Sequence, residues 1–340
     1  QVGNDIDGKA AYDKSGYSVS LSSDGNTVAI GAFGNDGVNA PNSGHLRVYA
    51  WDGISWNQVG IDIDGEAAYD YSGISVSLSS DGNTVAIGAI YNNGNGSKSG
   101  HVRVYSRSST NVNGCDSTSI LNLTIINSTT GPPETHSSCD SLVWNGKSYT
   151  SSGTYNYIPL SWNQRGNDID GEEAGDHSGY SVSLSSDGNT MAIGAPYNDE
   201  NGSESGHVRV YVWDGISWNQ RGNDIDGEAA GDHSGWSVSL SSDGNTVAIG
   251  AHQNDGNGSK SGHVRVYTWN GVLWKQLGID IDGEAAGDRS SYRAISLSSD
   301  GNTVAIGAYQ NEGVNGSLSG HVRVYTWNGV SWIQIGSDID

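Results

Sequence analysis

The sequence predicts an all-β fold, a β-propeller of four-stranded antiparallel blades, and three observations carry that expectation. The stretch SGYSVSLSSDGNTVAIGA, Ser15 to Ala32, returns at Ser72–Ala89, Ser178–Ala195, Ser234–Ala251 and, slightly altered, Ser290–Ala308, a period of about 56–58 residues. Each copy alternates apolar and polar residues with period two around a tight turn, as a β-hairpin does. The 340 residues hold 50 glycines but only five prolines, one Phe and one Met, which suits a turn-dense β protein better than a helical one.

Within each unit four strands are expected. The first is Tyr17–Ser22, with Val19 and Leu21 facing inward and the serines outward. Ser23-Asp24-Gly25-Asn26 makes the turn, where Asp favours the start and Gly accepts a positive φ. The second strand, Thr27–Ala32, is nearly all apolar and ends in Gly-Ala, small enough for neighbouring sheets to approach. After a polar loop the third strand reads His45-Leu-Arg-Val-Tyr49, or HVRVY from His101, His207, His263 and His321. A Trp-Asp-Gly or Trp-Asn-Gly turn leads to the fourth, Ser55–Gln58. Trp51 and Trp56 flank that turn, as do Trp213/Trp218, Trp269/Trp274 and Trp327/Trp332, and cross-strand aromatic packing explains them. One such sheet cannot bury both its faces, whereas radial stacking lets each cover the next.

The chain ends, at Gln334–Asp340, in the same phase in which it begins, at Gln1–Asp7. That reads either as closure of the ring or as one stretch of a longer array. The second copy is interrupted after Tyr105, and repeat sequence resumes at Ser161. The expected organisation is therefore propeller repeats 1–2 over 1–105, an inserted β segment over 106–160, and the remainder of repeat 2 with repeats 3–5 over 161–340. An insertion at a hairpin tip can project without breaking the ring, and its size also suits a sixth blade. Cys115 and Cys139, the only cysteines, both lie in it and read as a disulfide, with two buried thiols as the alternative.

A net charge of −22 argues against nucleic acid or an anionic membrane as partner, and favours cations or a cationic partner. No run of about 20 apolar residues exists to span a bilayer. No hydrophobic leader opens the sequence, and this is no argument for the cytoplasm. The location expected from the whole is extracellular, at the cell surface.

The repeat GEAAGDxSGYSVSLSxDGNTVAIGA, followed after a loop by SGHVRVY, resembles the FG-GAP repeat, the blade unit of integrin α-type propellers and of many bacterial surface proteins. The resemblance covers most of the chain in five copies and implies the propeller fold. The insert's NGCDSTSILNLTI and CDSLVWNGKSYTSSGTYNY resemble short Cys-containing repeats of Bacteroidetes surface proteins. The family's calcium motif, DxDxDGxxD between the first two strands, is absent. Ser22–Thr27 and its equivalents offer one carboxylate, too few oxygens for a calcium shell.

Three sets of residues are candidates for chemistry. Asp5/Asp7/Asp13, Asp62/Asp64/Asp70, Asp168/Asp170/Asp176, Asp224/Asp226/Asp232 and Asp280/Asp282/Asp288 place two carboxylates on one side of an extended chain and a third six residues on. A hard cation such as Ca²⁺ could bind there, and the alternative is that the aspartates only shape a connection. The polar loops Asn35–Ser43, Asn92–Ser99, Asn198–Ser205, Asn254–Ser261 and Asn311–Ser319 vary most, as binding loops do. Asn95, Asn201, Asn257 and Asn315 there, with Asn122 and Asn127 in the insert, are glycosylation acceptors or plain turn residues. His45/Arg47/Tyr49 and equivalents read as structural, the Arg in an ion pair and the His in a hydrogen bond. Because the distinctive polar residues recur in every copy, the sequence reads as no enzyme. The expected function is a structural or adhesive surface module, able to self-associate or to hold a protein or carbohydrate partner. The alternatives are a carbohydrate- or calcium-binding propeller with one weak site per blade, and, further off, a propeller hydrolase.

Overall fold

The computed structural model describes residues 1–37, 40–108, 119–123, 142–144, 147–149, 153–157, 161–313 and 315–339. It divides into two units, Gln1–Ser106 with Gln164–Asp340, and Arg107–Asn163. In the second unit Ser119–Leu123 pairs antiparallel with Gly153–Tyr157, and Leu142–Trp144 with Lys147–Tyr149. Cys115, Cys139 and Asn127 lie outside the described residues, and Asn122 sits in the first of these strands.

The first unit is a β-propeller of five successive blades, each an antiparallel sheet in strand order one to four. Blade 1 comprises Ser18–Leu21, Thr27–Ala32, His45–Trp51 and Trp56–Gln58. Its equivalents start at Ser75, Ser181, Ser237 and Ile295. The second blade takes Ser161–Gln164 as its fourth strand, beyond the insertion. One element was not legible in the sequence. The Asp-Ile-Asp connection forms a short extra strand on the third strand of the blade just completed, Leu46 pairing with Ile63 and Val208 with Ile225.

Alternation along the strands gives each blade two unlike faces. In blade 3, Val182, Leu184, Met191, Ile193 and Tyr211 face blade 2, where they meet Ala86, Val102, Val104 and Ile169. The opposite face, Ala192, Val208, Val210 and Ile225, meets Leu240, Val247, Ile249 and Tyr267 of blade 4. At roughly 1.5–3 kcal/mol per buried aliphatic side chain, each junction contributes on the order of 10 kcal/mol before entropy is charged.

The serines of the first strand are not turned to solvent as the alternation suggests; they form a polar seam. Ser75 Oγ donates to Gly179 O (2.6 Å) and Ser181 Oγ to Gly235 O (2.8 Å). Ser77 Oγ and Ser183 Oγ accept from the backbone N–H groups of Leu184 and Leu240, at 2.9 and 3.0 Å. Each first strand is thereby stitched to the next. The closeness explains the Gly of TVAIGA, since a Cβ on Gly194 would lie 2.0 Å from Gly235 O.

The seam runs in one direction and is not completed. Backbone bonds of 2.9–3.0 Å pass from Ser23 to Ser80, Ser80 to Ser186, Ser186 to Ser242 and Ser242 to Ser299. Among the described residues no such bond joins Ser299 to Ser23. The apolar faces agree. Val19 and Leu21, expected inward, are 63% and 57% exposed in blade 1, while Val76 and Leu78 in blade 2 are buried. At the other end Val322 is 37% and Ile339 61% exposed, although Val208 and Ile225 are buried. The reason is physical: these side chains are covered only by an adjoining blade.

Gly194→Ala is expected to destabilise by about 1–3 kcal/mol through overpacking, read as a lower urea midpoint. Gly307→Ala, in the second strand of blade 5, meets only the Ala294 Cβ and carbonyl and is expected to cost less. Equal losses would contradict an uncovered fifth blade.

Candidate functional site

The five aspartate sets do not stay together in the fold. Their third members, Asp13, Asp70, Asp176, Asp232 and Asp288, are buried and point into their own loops. Asp70 Oδ2 accepts from Ala67 N (2.9 Å) and Asn92 Nδ2 (3.2 Å), and Asp232 Oδ2 from Ala229 N (3.1 Å) and Asn254 Nδ2 (3.0 Å). Asp5 accepts from Gln1 Nε2 at 2.7 Å. The SSDGNT aspartates are occupied by their own turns: Asp187 accepts from Ser185 Oγ (2.6 Å), Asn189 N (2.9 Å) and Asn189 Nδ2 (2.9 Å). The family's calcium loop therefore does not fit here.

The first aspartate of four sets, Asp62, Asp168, Asp224 and Asp280, instead meets the histidine of a third strand, where the sequence predicts only a hydrogen bond; Asp338, outside the five sets, meets the fifth histidine. The groupings are His45 with Asp62 and Asp64; His101 with Glu66 and Asp168; His207 with Glu172, Glu200 and Asp224; His263 with Glu228 and Asp280; and His321 with Glu284 and Asp338. None of these glutamates is among the candidates the sequence offers; four follow the Gly that begins GEAA or GEEA, and Glu200 lies in the polar loop Asn198–Ser205. His207 Nδ1 stands 3.4 Å from Asp224 Oδ2 and 3.7 Å from Glu172 Oε2. Neither imidazole nitrogen of His101 or His207 has a hydrogen-bond partner, though both side chains are buried. The arginine two residues on behaves as the sequence suggests. Arg209 Nη1 lies 3.6 Å from Glu172 Oε1, and its Nη2 donates to Asp170 O at 2.7 Å.

The electrostatics follow from burial. His101, His207 and His263 are each pushed down to about 4, chiefly by loss of solvent and then by the adjacent arginine, so the rings are neutral at pH 7. Burial pushes Glu172 up to about 7; Arg209 opposes this, and the hydrogen-bonded Asp224 carboxylate adds to it. Glu66 and Glu228 shift in the same direction for the same causes.

The polar loops spend their asparagines on structure. Asn95 Nδ2 donates to Gly171 O (3.1 Å) and Glu172 O (2.6 Å), and Asn257 Nδ2 to Gly283 O (2.9 Å) and Glu284 O (2.7 Å). Asn201 Nδ2 donates to Gly227 O at 2.7 Å. The nitrogen that a glycan would need is thus bonded at all three.

A second cluster lies where the first strands converge. Tyr180 and Trp236 have ring centroids 4.3 Å apart, and Trp236 and His252 4.2 Å apart. Arg293, an extra residue in the altered fifth copy, stands 4.9 Å from the Tyr17 ring and donates to Tyr180 Oη at 2.8 Å. Its only signal in the sequence was the changed spacing Ser290-Ser-Tyr-Arg-Ala-Ile295.

Five like sheets with one histidine–carboxylate pocket apiece define a repeat propeller. The FG-GAP repeat model matches residues 7–49, 61–105, 169–212 and 225–267, just over half of the chain, which therefore belongs to the FG-GAP repeat family. A comparison with curated proteins returns no match. Among solved structures, the chain is similar to a putative 6-phosphogluconolactonase from Bacteroides uniformis, at 13% identity and TM-score 0.45, covering 95% of this chain and 85% of that one. It is also similar to Kuenenia stuttgartiensis hydrazine synthase, at 10% identity and TM-score 0.48, covering 97% and 68%. A third is the Pseudomonas aeruginosa periplasmic gluconolactonase, at 14% identity and TM-score 0.43, covering 95% and 86%. The expectation that the chain is no enzyme is corrected at this point, because two of these structures carry lactonase names. Likeness at these identities and TM-scores assigns no reaction.

His252 gives a pH prediction. Burial, then the positive charge of His233, Arg289, Lys260 and Arg293, lowers it from 6.5 to about 3. The unfolded chain takes up this proton near pH 6.5 and the folded chain does not. Its contribution is therefore full above pH 6.5 and lost as pH falls towards 3, at most about 5 kcal/mol. His252→Phe is expected to flatten the acid limb of a stability-against-pH curve measured by urea denaturation.

Proposed function

We propose that the chain is an extracellular assembly and adhesion module that joins to a second copy of itself through the two uncovered blade faces. One observation carries this reading. The Val322 and Ile339 face of blade 5 repeats the face that blade 3 uses against blade 4, and the Val19 and Leu21 face of blade 1 repeats the one that receives it. The interface is thus already built inside the molecule wherever one blade packs on the next, as at the apolar junctions between blades 2 and 5. A head-to-tail contact of this kind uses two different patches, and so either closes into a ring or propagates. The acidic surface keeps separate molecules apart unless the apolar faces meet. The surface location is supported by the composition and by the family resemblance.

Sedimentation velocity over a range of protein concentrations tests the reading. The expected outcome is association that grows with concentration and is abolished by Leu21→Asp or by Val322→Asp, with unchanged circular dichroism. A chain that stays monomeric throughout would overturn it, as would association that both variants retain.

A further inference from the structure

We propose that four of the five histidine–carboxylate pockets are binding sites for a divalent transition metal of the zinc class, one imidazole nitrogen and two or three carboxylate oxygens to each. The sites are Glu66/His101/Asp168, Glu172/Glu200/His207/Asp224, Glu228/His263/Asp280 and Glu284/His321/Asp338.

The spacing is the first argument. The Nδ1–carboxylate separations at these four sites are 3.6–4.0 Å to Glu and 3.4–3.7 Å to Asp. Donors about 2.0–2.2 Å from a common zinc ion stand roughly 3.3 Å apart in a tetrahedron. The second argument is the buried imidazole. Nδ1 of His101, His207 and His263 has no hydrogen-bond partner, and in each it is the atom turned towards both carboxylates. A buried imidazole whose Nδ1 faces two carboxylates without a hydrogen bond to either is a ligand set for zinc rather than for calcium, which takes oxygen.

The third argument is supplied by the first copy, where lysine replaces the glutamate. Lys9 Nζ lies 2.5 Å from Asp62 Oδ2, and His45 Nδ1 lies 3.4 Å from that same oxygen. Here the protein provides its own cation. The other four copies carry Glu66, Glu172, Glu228 or Glu284 at that position. One glutamate oxygen is committed to the arginine, as Glu172 Oε1 is to Arg209, which leaves the other facing the imidazole. A bound metal would tie the Asp-Ile-Asp strand of one connection to the glutamate of the connection before it, across the blade between them. The His207 site opens onto a cleft of about 800 Å³ lined by Glu172, Glu200, Asp224 and Asp226, so an ion can enter from solvent.

The experiment is calorimetric titration of chelator-treated protein with zinc chloride, with Co²⁺ absorption as a probe of coordination. Four saturable equivalents are expected, three in Glu172→Lys and five in Lys9→Glu. His207→Gln is expected to lose one equivalent and one quarter of the Co²⁺ ligand-field absorption. Glu172→Gln, near-isosteric and partly exposed, repeats the test if His207→Gln fails to fold by circular dichroism. Zinc uptake that is non-saturable, or unchanged in the lysine exchanges, overturns the proposal. So does calcium binding of equal stoichiometry that zinc does not displace.

Discussion

Every feature of this propeller depends on the contact between adjacent blades. A four-stranded sheet of this length exposes apolar side chains on both faces, and no residue within it can cover them. Burial comes only when Leu240, Val247 and Ile249 of one sheet lie on Val208, Val210 and Ile225 of the last. The serine seam fixes how the two meet, because Ser183 Oγ reaches Leu240 N only in one register. Hydrophobic area supplies the gross energy, and the hydrogen bonds select the geometry.

The same contact gives the unit a direction. Larger aliphatic side chains and Tyr face the preceding blade, while Ala and Val face the following one. The two end faces are therefore complementary rather than alike, which is the condition for head-to-tail joining instead of pairing about a two-fold axis. The histidine–carboxylate pockets share this polarity. Their glutamate comes from the connection entering a blade and their aspartate from the connection leaving it, so Glu172 and Asp224 bracket blade 3.

Departures from the repeat are informative because the copies are otherwise so similar. Lys9 replaces a glutamate and brings an ammonium group to Asp62. Arg293 is added in the fifth copy and reaches Tyr17 of the first and Tyr180 of the third. Both put a positive charge into an acidic molecule at a point where several elements converge.

The strands, their turns and the Trp pairs were legible in the sequence, because period-two alternation and Asp-Gly or Asn-Gly turns are local properties. Trp213 and Trp218 are indeed cross-strand partners, and Gly194 does permit close approach. The aspartates were legible as residues but not as a site. Asp224 and Asp232 are eight positions apart, yet one meets a histidine and the other caps a loop. Nothing local places His207 beside both Glu172 and Asp224, since that juxtaposition is made by a whole blade lying between them. Sequence alone thus determined the sheet and its repetition, which are set by neighbours along the chain. Tertiary structure decided which carboxylates share an imidazole and which apolar faces remain uncovered, because both depend on how one blade lies against the next.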